Sequence, residues 1–470
     1  MALGGATGDV PTNAIGVPPV RDDGGFDPSR IKLLPRGDKI LAMDRVSGRW
    51  ALLPEDQRGL LVLLGAAKAE HLPDQLGHII GELQENLIRQ GIGVAGPSRN
   101  FSALTTIIVK LTNACNMACA YCYDFESSEK ARRLETEIAV KAVREAIDLC
   151  EGRLWVILHG GEPMLVWDLI ETLVIQARAH AAERGVAIHF TGQTNMTRLT
   201  DRIVNFSIRH DIAWGVSVDG TAETHDRLRV LHTGGGTHGL FRDALNRYPA
   251  FVRSSSVMST ITAVNQDRLL ECARYFRDLG MAGWDWSLFQ PIGRARGESR
   301  LAIDVDVLIA AWNLLFDAVL SGEFHGFPVM PVKKYIDNFL HGPGKNMCMR
   351  PQCGAARDLV SISSDGTIEA CDCIDPKGPL GNLGNLATGT IAGARACAKA
   401  AKIRARDVQH KECGKCIWFG VCGGTCLAHA GDVEEVWPEG CAVALNAFDH
   451  ISAAFASGEK IQSYLASLDT

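Results

Sequence analysis

Charge of one sign is scarce here: 48 Lys and Arg stand against 54 Asp and Glu, a balance of −6 over 470 residues. A nucleic-acid protein usually carries a basic stripe, so no nucleic-acid partner is expected. Long apolar runs are missing too. No segment reaches the roughly 18 consecutive apolar residues of a spanning helix. The most apolar helix-like stretch, 307–320, is short and contains Asp317. Residues 1–22 show no basic start followed by an apolar run, so no secretory signal is expected. These absences predict a cytoplasmic protein with no membrane association. Hydrophobic residues at 46% and charged residues at 22% are ordinary for a globular chain, which excludes wholesale disorder and a small disulfide-stapled scaffold. Cysteine is plentiful, with 15 residues. In a reducing compartment, clustered cysteines point to metal ligands or catalysis before disulfides.

The length suggests about three domains. Residues 1–27, rich in Gly, Pro and Asp, read as a flexible tail. Residues 28–98 read as a small domain: strand-like runs at 39–42 and 49–53 flank Val46, Ser47 and Gly48, and apolar helical periodicity follows at 57–69 and 76–89. Pro97 and Ser98 mark a linker. From 104 to 300, candidate strands at 105–112, 154–159, 187–190, 213–218, 256–263 and 284–290 alternate with helical stretches at 135–149, 165–184, 200–209, 240–248 and 267–279. Repeated βα units predict an α/β fold, a partial (β/α)6 barrel of TIM type, with its chemistry at the C-terminal strand ends. Residues 301–347 are a linking region with a helix at 303–322. Residues 348–442 are rich in Cys and Gly and read as a separate, metal-held region; 443–470 are helical again.

Directly after the first barrel strand stand Cys115, Cys119 and Cys122, spaced C-x3-C-x2-C. Three thiolates on one loop can hold three irons of a [4Fe–4S] cube and leave the fourth open to another ligand. A zinc site would want a fourth ligand nearby and paired C-x2-C spacing. The loop, with Tyr121 between its last two cysteines, resembles that of the radical S-adenosylmethionine (SAM) superfamily. The resemblance implies that the open iron binds the amino and carboxylate groups of SAM. It also implies reductive cleavage of SAM to methionine and a 5′-deoxyadenosyl radical, with Tyr121 near the adenine.

A second strand ends in His159, Gly160, Gly161, Glu162 and Pro163, similar to the GGEP motif of that superfamily. Glycines permit close backbone approach, and a carboxylate with carbonyls can hold an ammonium group. His159 stands where relatives often carry Gln. Later strand ends supply Gln193-Thr194-Asn195 and Ser217-Val218-Asp219-Gly220, which resemble the TNG and SxDG segments of the peptide-modifying branch, with Met196 in place of the usual Gly. The resemblance makes Ser217 a candidate SAM carboxylate contact and assigns Asn195 to the same site. His225-Asp226-Arg227 is similar to the start of an HDxxR segment.

Cys348, Cys353, Cys371, Cys413, Cys416, Cys422, Cys426 and Cys441 follow in the last third. Ser364-Asp365-Gly366 is a hairpin turn signal that folds back the strands bearing Cys353 and Cys371. Eight thiolates suit two four-Cys sites, of iron or of zinc by spacing alone. The pattern resembles the SPASM extension of radical SAM enzymes. That resemblance implies three [4Fe–4S] clusters in all: a first auxiliary cluster on Cys348, Cys353, Cys371 and Cys426, and a second on Cys413, Cys416, Cys422 and Cys441. The C-x4-C spacing of Cys348 and Cys353 is one residue short of the commonest form. Cys150, Cys272, Cys373 and Cys397 are left over; Cys373 is a substitute ligand or has no role. Fully ligated clusters would carry electrons, taking one from a substrate radical. Asp372 beside Cys371 resembles the Cys-Asp pair of anaerobic sulfatase maturases, where the Asp acts as base.

Residues 28–98 look like the small winged-helix module that binds leader peptides by adding them to a sheet edge. The resemblances together imply a peptide maturase that oxidises side chains of a ribosomally made precursor, in a cyclophane-type carbon–carbon crosslink, with an external one-electron donor such as flavodoxin or ferredoxin. Thioether formation and formylglycine formation are the alternatives. A non-catalytic iron–sulfur scaffold or electron carrier is the rival from another class, and an open iron argues against it.

Overall fold

A computed structural model describes residues 25–66, 73–95, 103–124, 130–343, 348–458 and 461–468. Ile31–Arg36 (β1), Lys39–Asp44 (β2) and Trp50–Pro54 (β3) form an antiparallel sheet in that order. Arg58–Ala66 (α1) and Asp74–Arg89 (α2) follow. Strand alternation sends Ile40, Ala42, Ala51 and Leu53 to these helices, while Leu41, Met43, Trp50 and Leu52 join the main core. Trp50 stacks on Phe339, with ring centres 4.6 Å apart, and donates its Nε1–H to the Phe339 carbonyl at 2.7 Å. The N-terminal unit is therefore keyed into the rest of the chain. β1 is not among the expected strands because Pro35 weakens its signature; an outer strand tolerates such a Pro. The expected tail lies outside the described residues through position 24, as does the linker at Pro97 and Ser98.

Six parallel strands come next: Leu104–Lys110 (β4), Cys150–His159 (β5), Ala187–Thr194 (β6), Ile212–Ser217 (β7), Ser256–Ile261 (β8) and Gly283–Leu288 (β9). The crossovers carry Thr136–Asp148 (α3), Trp167–Arg184 (α4), Asp201–Arg209 (α5), Ala222–Leu228 (α6), His238–Arg247 (α7), Pro249–Arg253 (α8) and Leu269–Asp278 (α9). This is the α/β architecture with a parallel sheet that the alternation predicts. Val305–Leu320 (α10) matches an expected helix. Met330–His341 (α11) was not expected; its Pro331 sits in the first turn, where the missing N–H has no helical partner to lose.

The expectation of a separate region after Cys348 is corrected. Leu359–Ile362 (β10) pairs in parallel with β4, and Thr367–Glu369 (β11) and Asn382–Asn385 (β12) continue outward. One nine-stranded sheet thus runs β12-β11-β10-β4-β5-β6-β7-β8-β9. Val360, Ile362 and Ile368 are fully buried in the barrel's own core, so apolar burial already holds this region to the barrel. The turn at Ser364-Asp365-Gly366 forms as expected, with Gly366 at φ +83°. It places Cys371 just beyond β11, whereas Cys353 precedes β10 instead of lying on it. Four short helices, Ile391–Ala396 (α12), Ala398–Arg404 (α13), Phe419–Cys422 (α14) and Leu427–Ala430 (α15), lead to Pro438–Ser457 (α16), packed on α10 and α11, and to Ile461–Ser467 (α17). No helix among the described residues is long and apolar enough to cross a membrane.

Candidate active site at the C-terminal rim of the barrel

The loop leaving β4 carries Cys115, Cys119 and Cys122, all half-buried. Backbone bonds clamp it on two sides: Ala118 N–H to the Val230 carbonyl at 2.7 Å, and Arg294 N–H to the Cys122 carbonyl at 3.0 Å. Tyr121 is 7% exposed, packed with Leu228, Phe289 and Leu301. Its hydroxyl donates to the fully buried Asp219, which also pairs with Arg229 at 2.9 Å. The Arg229 guanidinium lies 5.3 Å from the centre of the Tyr121 ring. Tyr121 is thus mainly an anchor for the loop, because protein encloses nearly all of its ring. Arg229 completes the HDxxR segment and was not singled out in the sequence, although that pattern marks it. The rest of the segment is a latch. Asp226 accepts N–H groups from Thr237 at 2.7 Å and His238 at 2.8 Å. Burial lowers His225 to about 4, so it stays neutral and can accept the Asp219 N–H through Nδ1 at 3.3 Å.

The glycines after β5 are needed for packing against the cysteine loop itself. A Cβ on Gly160 would lie 2.4 Å from the Thr112 carbonyl oxygen, and one on Gly161 would lie 2.2 Å from that of Ala114. Gly161→Ala is therefore expected to destabilise the chain by roughly 1–3 kcal/mol. Chemical denaturation would register this as a lower urea midpoint; an unchanged midpoint would show that the loop yields freely. Glu162 is 1% exposed and braces neighbouring strand ends. It accepts the Thr194 hydroxyl at 2.7 Å, the Asn195 N–H at 2.8 Å and the Met164 N–H at 3.0 Å. Burial nonetheless raises its carboxyl above the ordinary value. Asn195 reaches the cysteine loop by donating to Asn116 Oδ1 at 3.0 Å. Met196 keeps the turn that Gly usually makes, at φ +55° and fully buried, a strained state for this residue. Ser217 is half-buried and accepts from Gln193 Nε2 at 2.7 Å.

The thiols fall into three groups. Burial, with Glu162, Cys119 and Cys122 adding to it, pushes Cys115 up to about 12. Burial pushes Cys119 up to about 11, opposed by the Arg229 charge. The second group is Cys348, Cys353, Cys371 and Cys426. Burial and the other three thiols push Cys348 well up, although the residue as a whole is exposed; burial brings Cys426 to about 12. The third group, Cys413, Cys416, Cys422 and Cys441, lines a cavity of about 460 Å³ together with Phe419 and Val436. Burial, with the neighbouring thiols adding to it, disfavours the charged form of these groups. A cationic iron centre would relieve that mutual repulsion, so each donor set fits a metal group.

Asp372 lies between the second group and the barrel rim. Tyr123 donates its hydroxyl to Asp372 Oδ2 at 2.9 Å and lies 3.3 Å from His159 Nε2. A hydroxyl that donates to a carboxylate accepts from its other neighbour, which assigns the His159 proton to Nε2. His159 Nδ1 is buried and has no hydrogen-bond partner among the described residues. Lys110, 1% exposed at the end of β4, reaches the Asp372 carbonyl at 3.4 Å and Glu369 at 3.5 Å. Burial alone would raise the Asp372 carboxyl; His159, Lys110 and the Tyr123 hydroxyl outweigh it and hold the group below the usual carboxylate value. His159 thus belongs with Asp372 through Tyr123, a link that no sequence motif announces. The only signal for it was a tyrosine directly after Cys122.

A parallel barrel whose strand ends gather three thiols, a glycine turn and a braced carboxylate has the donors to hold a metal cluster at its rim. Residues 109–282 match the radical SAM superfamily; the chain carries a radical SAM domain and is an enzyme, with SAM and an iron–sulfur cluster as its cofactors. A cysteine-type anaerobic sulfatase-maturating enzyme of Clostridium perfringens is 22% identical over 336 residues, 69% of this chain and 88% of that one. The structure of anSMEcpe with bound AdoMet and the Cp18Cys peptide is 20% identical, with a TM-score of 0.65 over 75% of this chain and 96% of its own. Streptococcus suis SuiB bound to the precursor peptide SuiA is 13% identical, with a TM-score of 0.54 over 89% and 99%. At these identities the two structures establish the shared fold.

Proposed function

We propose that the protein is a peptide maturase that oxidatively crosslinks side chains of a ribosomally made precursor. Cys115, Cys119 and Cys122 hold the SAM cluster. Gly160, Gly161, Glu162, Asn195, Ser217, His159 and Tyr121 would hold SAM beside that cluster. Cys348, Cys353, Cys371 and Cys426 hold the first auxiliary cluster, and Cys413, Cys416, Cys422 and Cys441 the second, in a region spanning 348–442. When bound, SAM and the first cube supply a radical that takes a hydrogen atom from the substrate, and the two further cubes supply a place for the electron left behind. Asp372 is the base that receives the departing proton, held in place by Tyr123 and His159. An external donor such as flavodoxin or ferredoxin delivers electrons.

The observation that carries this reading is the Asp372 carboxylate, set between the second thiol group and the rim that bears the first. Two structural neighbours support a peptide substrate: anSMEcpe holds the Cp18Cys peptide, and SuiB holds its precursor SuiA. Formylglycine formation is the second reading, favoured by the resemblance to sulfatase maturases. Mass spectrometry of the short peptide encoded nearest the gene, after co-expression, separates them. A crosslink removes two hydrogens and joins two residues, so the expected mass falls by about 2 Da with fragmentation suppressed between the joined positions. A formylglycine made at a single Ser or Cys, with no joined fragments, would refute the crosslink.

Residues 28–98 bind the leader of that peptide. Support comes from the three-stranded sheet, whose outer strands are β1 and β3. Because Trp50 locks this unit to α11, removing it would expose core, and a footprint is the cleaner test. Added leader peptide is expected to slow amide exchange in β1 or β3 of the full chain; protection confined to the barrel would contradict leader binding here.

A further inference from the structure

We propose that Cys373 is a second ligand-competent thiol of the first auxiliary site, able to take over the iron held by Cys348. The proposal rests on reading that site as an iron–sulfur centre. Four cysteines lie outside the three groups, and three of them have other work. Cys397 caps α13, its Sγ accepting the Ala400 N–H at 3.4 Å. Cys272 is 2% exposed in the core, and Cys150 packs against that core at the start of β5. Cys373 has no such place. Cys371 Sγ, an Asp372 carboxylate oxygen and Cys373 Sγ lie within 4.8 Å of one another. The Cys371 and Cys373 thiols are hydrogen-bonded, and Cys373 also faces Cys426 and Cys348. The site therefore gathers five thiols.

A cube takes one terminal thiolate per iron, so one of the five is surplus at any moment. Cys348 is the displaceable one: its thiol is turned into the group, but the residue as a whole is exposed, whereas Cys353, Cys371 and Cys426 are half-buried. It also stands in the shortened C-x4-C spacing. Exchange needs no oxidant. The Cys373 thiol gives up a proton as its sulfur binds iron, and the Cys348 thiolate takes one up as it leaves, so charge and electron count are unchanged.

Iron and acid-labile sulfide in the anaerobically reconstituted full chain test this, with electron paramagnetic resonance of the reduced protein. The parent is expected to hold about twelve irons, four per cube. Cys348→Ala should keep about twelve, with an altered auxiliary signal. Cys348→Ala with Cys373→Ala should fall to about eight, the remaining two cubes showing that the chain is folded. Loss of four irons from Cys348→Ala alone, or retention of twelve by the double variant, would overturn the proposal. A parent chain with only about four irons would overturn the three-cluster reading and this inference with it.

Discussion

Replacing Cys115, Cys119 and Cys122 together by alanine is expected to reduce 5′-deoxyadenosine release, with SAM and dithionite, by at least about a thousandfold, because the metal group performs the bond cleavage that side chains cannot. The three thiols sit on one loop, fixed from below by Gly160 and Gly161 and from the side by Tyr121, Asp219 and Arg229. The loop's backbone clamps do not depend on the thiols, so the variant should fold. The two C-terminal groups lie on separate segments and should keep their irons. Iron content is thus expected to drop by about four per chain and no further. Undiminished release from the variant would place the cleavage elsewhere. No release from the parent would favour the electron-carrier reading.

Asp372→Asn is expected to lower modified peptide by about a hundredfold or more, the usual scale for losing a placed general base, while 5′-deoxyadenosine release stays within a few-fold of the parent. Asparagine keeps the size and can still accept the Tyr123 hydroxyl, so the change removes the proton acceptor and little else. The split between the two products identifies the role. A residue that merely supported the second thiol group would lower iron content; a base leaves iron content intact and uncouples hydrogen abstraction from product. Equal product from the variant would remove Asp372 from the reaction.

The fold was legible where the chain is locally consistent. β4 and β7 to β9 appear as β-branched or aromatic apolar runs between helical periods, and their observed bounds lie within two residues of the expected ones, whereas β5 begins at Cys150, ahead of the expected Leu154. β6 runs on to Thr194 beyond the expected Phe190, because its final residues are polar and serve the site. The pairing of β10 with β4 was not legible: it joins residues some 250 positions apart, and no local pattern encodes a partner at that distance. The site divides in the same way. The spacing of Cys115, Cys119 and Cys122 marked one donor set on a short loop, while the resemblance to the SPASM extension, not spacing, divided the other eight cysteines into two sets. The parts of Glu162, Arg229, Tyr123 and Lys110 depend on partners from other strands and were visible only once the rim was assembled. Lys110 left one clue, a charge closing the apolar strand Leu104–Lys110.

The thiols of Cys115, Cys119 and Cys122 are expected to leave one iron corner open for SAM. Electron paramagnetic resonance of the reduced chain, recorded with and without SAM, addresses it directly. The expected result is a [4Fe–4S] signal that shifts on adding SAM and is missing from the triple alanine variant. Zinc at these cysteines, or a cluster signal indifferent to SAM, would contradict the account.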